Sequence, residues 1–174
     1  VTPGSLILLH PPHATAAAWG DVPELLRSYG RDVITPDIRE EGGMRYVARA
    51  SLVIAAAGPT VPLVLVGQGT AGPLLPAIAA AQRAAHRPVG AYVFLDADLP
   101  VHRTPATGHG HGHAPNDTAP VPADWPEAPC GYLSTTDETP RLRQARLRGW
   151  QIKTLYTQSE THLAATLNAL ITTL

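Results

Sequence analysis

From Ala50 to Gln82 the chain carries no charged side chain, and this stretch constrains the fold most. A segment so apolar belongs either in a membrane or at the centre of a sheet covered on both faces. Pro59, Pro62, Pro73 and Pro76 interrupt it, together with several glycines. No unbroken run reaches the ~20 apolar residues of a membrane helix. The stretch therefore reads as the buried centre of a globular domain, with residues 61–66 a central parallel strand.

Short apolar runs alternate with helical patterns along the rest of the chain, the signature of an α/β three-layer sandwich. Strands are predicted over 5–9, 32–37, 61–66, 89–95, 131–134 and 151–156. Trp19, Val22, Leu26 and Tyr29 recur at helical spacing, with Asp21 and Glu24 placed as a capping box and Gly30 as the stop. Val47, Ala50, Ile54 and Ala57 mark a second helix ending at Gly58-Pro59. Further helices are expected over 71–86 and near Arg141. A last one carries Leu163, Leu167, Leu170, Ile171 and Leu174 on one side. The whole chain, 1–174, reads as one domain. Between 99 and 125 the pattern vanishes, and a long mobile loop is expected. His109, His111 and His113 lie in it, separated by glycines that give no fixed ligand geometry, so adventitious metal affinity is expected there and not a metal site.

A formal net charge of −1 argues against nucleic acid as the main partner, because phosphate binding needs a concentrated basic surface. Arg141, Arg143, Arg146, Arg148 and Lys153 read as a solvated face. Cys130 is the only cysteine, so no intrachain disulfide forms, and a buried structural thiol is expected. The first residues show no signal-peptide pattern. A cytoplasmic protein with no membrane partner and no cofactor is expected.

Several motifs in order carry a family resemblance. Leu6-Ile7-Leu8-Leu9-His10-Pro11 is followed by Trp19. Val33-Ile34-Thr35-Pro36-Asp37-Ile38-Arg39 forms the next strand and its end. Leu63-Val64-Leu65-Val66-Gly67-Gln68-Gly69-Thr70-Ala71-Gly72 aligns with a Gly-x-Ser-x-(x)-Gly nucleophile elbow. Over nearly its whole length the chain thus resembles the α/β-hydrolase superfamily. The resemblance implies a reduced fold of about six parallel strands in the order 2-1-3-4-5-6. It also implies that the loop 99–125 replaces the helical cap. It places the catalytic acid at Asp137 and the base at His162, in the chain order of the fold.

The departures decide the function. A serine at the elbow attacks substrate while histidine takes its proton, but position 69 is glycine. Loss of such a nucleophile costs ~10⁴–10⁶ in rate. The oxyanion-hole N–H falls at Pro12, which has none, and losing one donor costs ~10²–10³. Serine hydrolysis is not expected. Gly67-x-Gly69-x-x-Gly72 also matches the dinucleotide fingerprint, with Asp96 as a ribose ligand. Two βα units precede it, however, and Asp96 lies beyond the usual ~20-residue spacing.

Three functional readings follow. In the first, the chain is a non-hydrolytic acid/base enzyme acting on a small or peptidic metabolite. His162 is the base, Asp137 its orienter and His13 a possible acid, while Pro12, Gln68, Gly69, Thr70 and Asp96 line the substrate site. His162 and Asp137 read equally well as helix-capping relics. In the second, the protein is catalytically inactive and captures a ligand or partner. The third is an unusual hydrolase using Thr70 or activated water, or a dinucleotide binder.

Overall fold

The computed structural model describes residues 4–102, 119–156 and 159–174. Six strands pair throughout in parallel: β1 (Leu6–Leu9), β2 (Val33–Ile34), β3 (Leu63–Gln68), β4 (Val89–Leu95), β5 (Cys130–Ser134) and β6 (Gln151–Thr154). Their order is β2-β1-β3-β4-β5-β6, as the resemblance implied. The chain runs outward from β1 to β2 and then returns to β3 on the other side of β1. This reversal opens a crevice at the carboxyl ends of β1 and β3, where open parallel sheets bind ligands.

Alternation along each central strand feeds two apolar layers, because successive side chains point to opposite faces. Ile7, Leu9, Leu65, Tyr92, Phe94 and Tyr132 face α2 (Gly43–Ala57), α3 (Leu75–Ala84) and α4 (Pro140–Leu147) through Tyr46, Ile54, Ile78 and Leu142. Leu6, Leu8, Val64, Val66, Val93, Leu95 and Leu133 face α1 (Val22–Ser28) and α5 (Glu160–Thr173) through Leu26, Leu167 and Leu170. Both faces of β3 are therefore covered, which accounts for its continuous apolar run. No helix among the described residues is long and apolar enough to cross a membrane.

Four local expectations change. The helix foreseen over 71–86 opens as a 3-10 turn from Gly69 to Leu74 and becomes α-helical only at Leu75. Pro73 and Pro76 lack the N–H groups a regular helix needs. Asp21 makes no side-chain cap; its backbone N–H donates instead to Glu160 Oε2 at 2.7 Å. The second strand is only two residues long, followed closely by Pro36, which cannot donate to a ladder.

The loop foreseen over 99–125 is packed at both described ends. Leu99, Ala119 and Trp125 are buried. Trp125 meets Tyr92, Phe94 and Trp150 at ring-centroid distances of 5.8, 6.3 and 6.0 Å. An indole gains enough from this burial to pin the loop's end to the sheet. His109, His111 and His113 lie outside the described residues.

Candidate functional site

The crevice is centred on the turn after β3. Gly69 takes the left-handed conformation, φ +56°, and its carbonyl accepts from Asp98 N at 3.1 Å. This sharp strand-to-helix turn is the geometry that displays an elbow nucleophile, yet glycine presents no side chain on it. Gly72 is needed for contact: a Cβ there would lie 2.2 Å from Asp98 O. Gly67 is packed less tightly, its Cβ position lying 3.0 Å from the Leu75 side chain. Turn geometry and close packing thus account for all three glycines of the dinucleotide-like motif.

Opposite the turn, His10 is fully buried and structural. Its Nδ1 donates to Pro11 O at 2.8 Å and its Nε2 accepts from Ile38 N at 3.0 Å. Tyr46 donates its hydroxyl to His10 O at 2.6 Å. Both ring nitrogens are committed, and the β1 loop is tied to the segment after β2. Pro11 and Pro12 then face the elbow without an N–H between them, so the donor missing from the sequence is missing from the site.

Two cavities flank the turn. One, of about 270 Å³, is lined by Pro12, His13, Glu41, Thr70 and Asp98. His13 adopts φ +70°, an uncommon conformation for a residue with a Cβ, and its Nδ1 lies 3.7 Å from Glu41 Oε2. Asp98 is neutralised by Arg141 at 2.6 Å.

The other cavity, of about 310 Å³, is lined by Gln68, Asp96, Thr135, Ser159 and Glu160, with Leu155 and Leu163 as apolar walls. Asp96 also has positive φ, +45°. Its carboxylate accepts from Thr135 N at 2.9 Å and from the Thr135 hydroxyl, while the Ser134 hydroxyl, with its single proton, lies 3.0 Å from Thr136 O and 3.4 Å from Asp96 Oδ1. Glu160 is fixed by Asp21 N and lies so close to Gly20 that a Cβ there would meet its carboxylate. Gln68 Oε1 is buried without a hydrogen-bond partner.

The structure brings Pro12, His13, Gln68, Gly69, Thr70 and Asp96 to one sheet edge, divided between the two cavities. It does not bring His162 and Asp137 together. Both are exposed, and no ion pair or hydrogen bond joins them among the described residues. The reason is helical phase. The helix already begins at Glu160, and His162 lies two residues before the buried Ala164. That is ~200° around the axis, toward solvent. Nor does Asp137 cap α4, which is capped by Thr139 through Leu142 N at 3.1 Å. Neither residue lines the two cavities beside the turn.

Sequence reasoning missed Glu41, Thr135, Ser159 and Glu160 as lining residues. Glu160 alone left a signal, as a carboxylate at the start of the last helix. The basic run is solvated and paired: Arg146 meets Glu138 at 2.9 Å, and Arg148 lies over the Trp150 ring at 5.3 Å. Cys130 is buried, and burial pushes its thiol up to about 12.

No family model and no curated protein matches the sequence. Solved structures do match the fold. An extracellular α/β-hydrolase from a Paenibacillus species, described as sharing structural and functional homology with tobacco salicylic acid binding protein 2, aligns with a TM-score of 0.71 at 13% identity, over 97% of this chain and 99% of that chain. Polyneuridine aldehyde esterase aligns with a TM-score of 0.67 at 14% identity, over 99% of each chain. Tomato methylketone synthase I, as a histidine-to-alanine variant complexed with β-ketoheptanoate, aligns with a TM-score of 0.64 at 13% identity, also over 99% of each. At such identities the likeness speaks for the fold alone.

Proposed function

The chain has the α/β-hydrolase fold, and on that premise we propose that it holds a small ligand non-covalently at the elbow edge and does not hydrolyse esters. The carrying observation is the turn itself. Gly69 keeps the left-handed elbow, but with no nucleophile on it and two prolines facing it. Missing the nucleophile (~10⁴–10⁶ in rate) and an oxyanion donor (~10²–10³) removes most of what acyl transfer needs. The absence of an Asp137–His162 relay weighs the same way. A cavity flanked by fixed polar groups and leucine walls fits binding, and preorganised groups favour affinity.

A second reading keeps proton transfer, moved from His162 and Asp137 to His13 and Glu41. Their proximity beside Thr70 favours it, since a histidine within reach of a carboxylate is the minimum for acid/base work. The fold tolerates varied chemistry: the relatives named above include a hydrolase, an esterase and a synthase.

An assay with p-nitrophenyl butyrate tests the proposal. The natural protein and His13→Ala should both release p-nitrophenol at the protein-free rate. Turnover by the natural protein that His13→Ala abolishes would replace the binding proposal with catalysis at the His13 cavity.

A further inference from the structure

We infer that His10 is an acid-sensitive fastening: when its ring takes up a proton, the β1 loop is released from the segment after β2, at the elbow edge. This follows from hydrogen-bond geometry, whatever the two cavities hold. His10 is fully buried, and its partners fit one protonation state. The Ile38 N–H is a donor, so Nε2 at 3.0 Å is its acceptor. Pro11 O is an acceptor, so Nδ1 at 2.8 Å carries the proton. A neutral imidazole has one donor and one acceptor nitrogen, whereas an imidazolium has two donors. A second proton on Nε2 sets one N–H against another and strands the buried Ile38 donor.

The groups around the ring are engaged elsewhere. From α2 it meets Tyr46 edge-on, with 5.9 Å between ring centroids. Burial pushes the Tyr46 hydroxyl far up, so it stays neutral in acid, and it donates to His10 O. Residues 63–70, β3 and the start of its turn, carry no titratable side chain. The segment after β2 carries Asp37, Arg39, Glu40 and Glu41. Asp37 acts on His10 through its charge and so favours the imidazolium, but its oxygens already meet Ala16 N at 3.0 Å and Arg39 Nε at 3.4 Å. Glu40 lies 3.9 Å from Arg49, and Glu41 lies 3.7 Å from His13. The fastened elements border the elbow. His13 follows His10 in the β1 loop and Glu41 follows Ile38 across from it, and both line the cavity of about 270 Å³. Acid thus loosens the wall of that cavity, and neutral solution holds it closed up.

Long-range proton–nitrogen correlation spectra of the full chain read the His10 tautomer, and amide hydrogen exchange reads the Ile38 bond. Near neutral pH the ring should show a protonated Nδ1 and a bare Nε2. On acidification Ile38 should lose about tenfold or more of its protection as the ring takes up its proton, the scale of one buried hydrogen bond. Leu65, at the centre of β3, should keep its protection, because the opening is local. His10→Gln offers a neutral acceptor and should abolish the acid response. His13→Gln should preserve it, since His13 is exposed and is not the sensor. The inference is overturned if Ile38 stays protected once the ring is protonated, or if Ile38 and Leu65 lose protection together. Both outcomes are read on the natural protein and decide the matter even where a variant does not fold. It is equally overturned if His10→Gln responds to acid as the natural protein does, or if His13→Gln loses the response.

Discussion

A Cβ placed on Gly69 would stand 3.3 Å from Pro11 Cγ, so the turn that should display a nucleophile faces the proline just before Pro12, the position expected to supply the oxyanion-hole N–H. Restoring a side chain therefore meets two obstacles, a left-handed φ of +56° and a proline ring. Gly69→Ala should destabilise the protein by about 1–2 kcal/mol, the left-handed penalty for a residue with a Cβ. Urea unfolding of the two proteins measures this. An unchanged midpoint would mean that the turn relaxes freely.

His10 is predicted to matter for stability and not for binding. His10→Ala strands the Ile38 N–H in a buried setting, at a cost of about 1–3 kcal/mol, and Tyr46→Phe should cost about 0.5–1.5 kcal/mol. Unfolding curves give both values. A loss of ligand affinity in His10→Ala at unchanged stability would contradict the structural role.

Trp125 packs the segment before β5 onto β4 and Trp150. Trp125→Ala should cost about 3–5 kcal/mol and flatten the near-ultraviolet circular dichroism contributed by the Tyr92, Phe94 and Trp150 cluster. A loop end merely resting on the surface would show neither change.

Stability should fall in alkaline solution. Burial raises the Cys130 thiol from an ordinary value of 9.0 to about 12, and the Tyr132 hydroxyl from 10.0 to about 12. Between those values the unfolded chain has lost protons that the native protein retains, so unfolding free energy decreases as pH rises. The contribution is complete below about pH 9 and lost progressively toward about pH 12. Cys130→Ala should reduce the slope over that window. Denaturant midpoints from pH 8 to pH 11 supply the comparison.

Much of the fold was legible because strand pattern and burial agree: the continuous apolar run at Leu63–Val66 is buried from both faces, and the order of strands follows from the resemblance. Legibility failed where phase or distant partners decide. The identity of His162 suggested a base, but one helical turn begun at Glu160 sends it to solvent. Asp21 and Glu24 had the spacing of a capping box, yet the acceptor for Asp21 N is Glu160, 139 positions along the chain. At the site, the loss of the nucleophile and the oxyanion donor could be read directly, since glycine and proline lack the needed atoms. That Asp96, Glu160 and Gln68 share one cavity could not, because β3, β4 and α5 meet only in three dimensions.

The central claim, that the elbow has no group able to be acylated or phosphonylated, is tested most directly by intact-mass spectrometry after incubation with a fluorophosphonate. The predicted result is an unmodified mass for the natural protein. An adduct mapped by peptide sequencing to Thr70 or to another residue of the elbow crevice would contradict it.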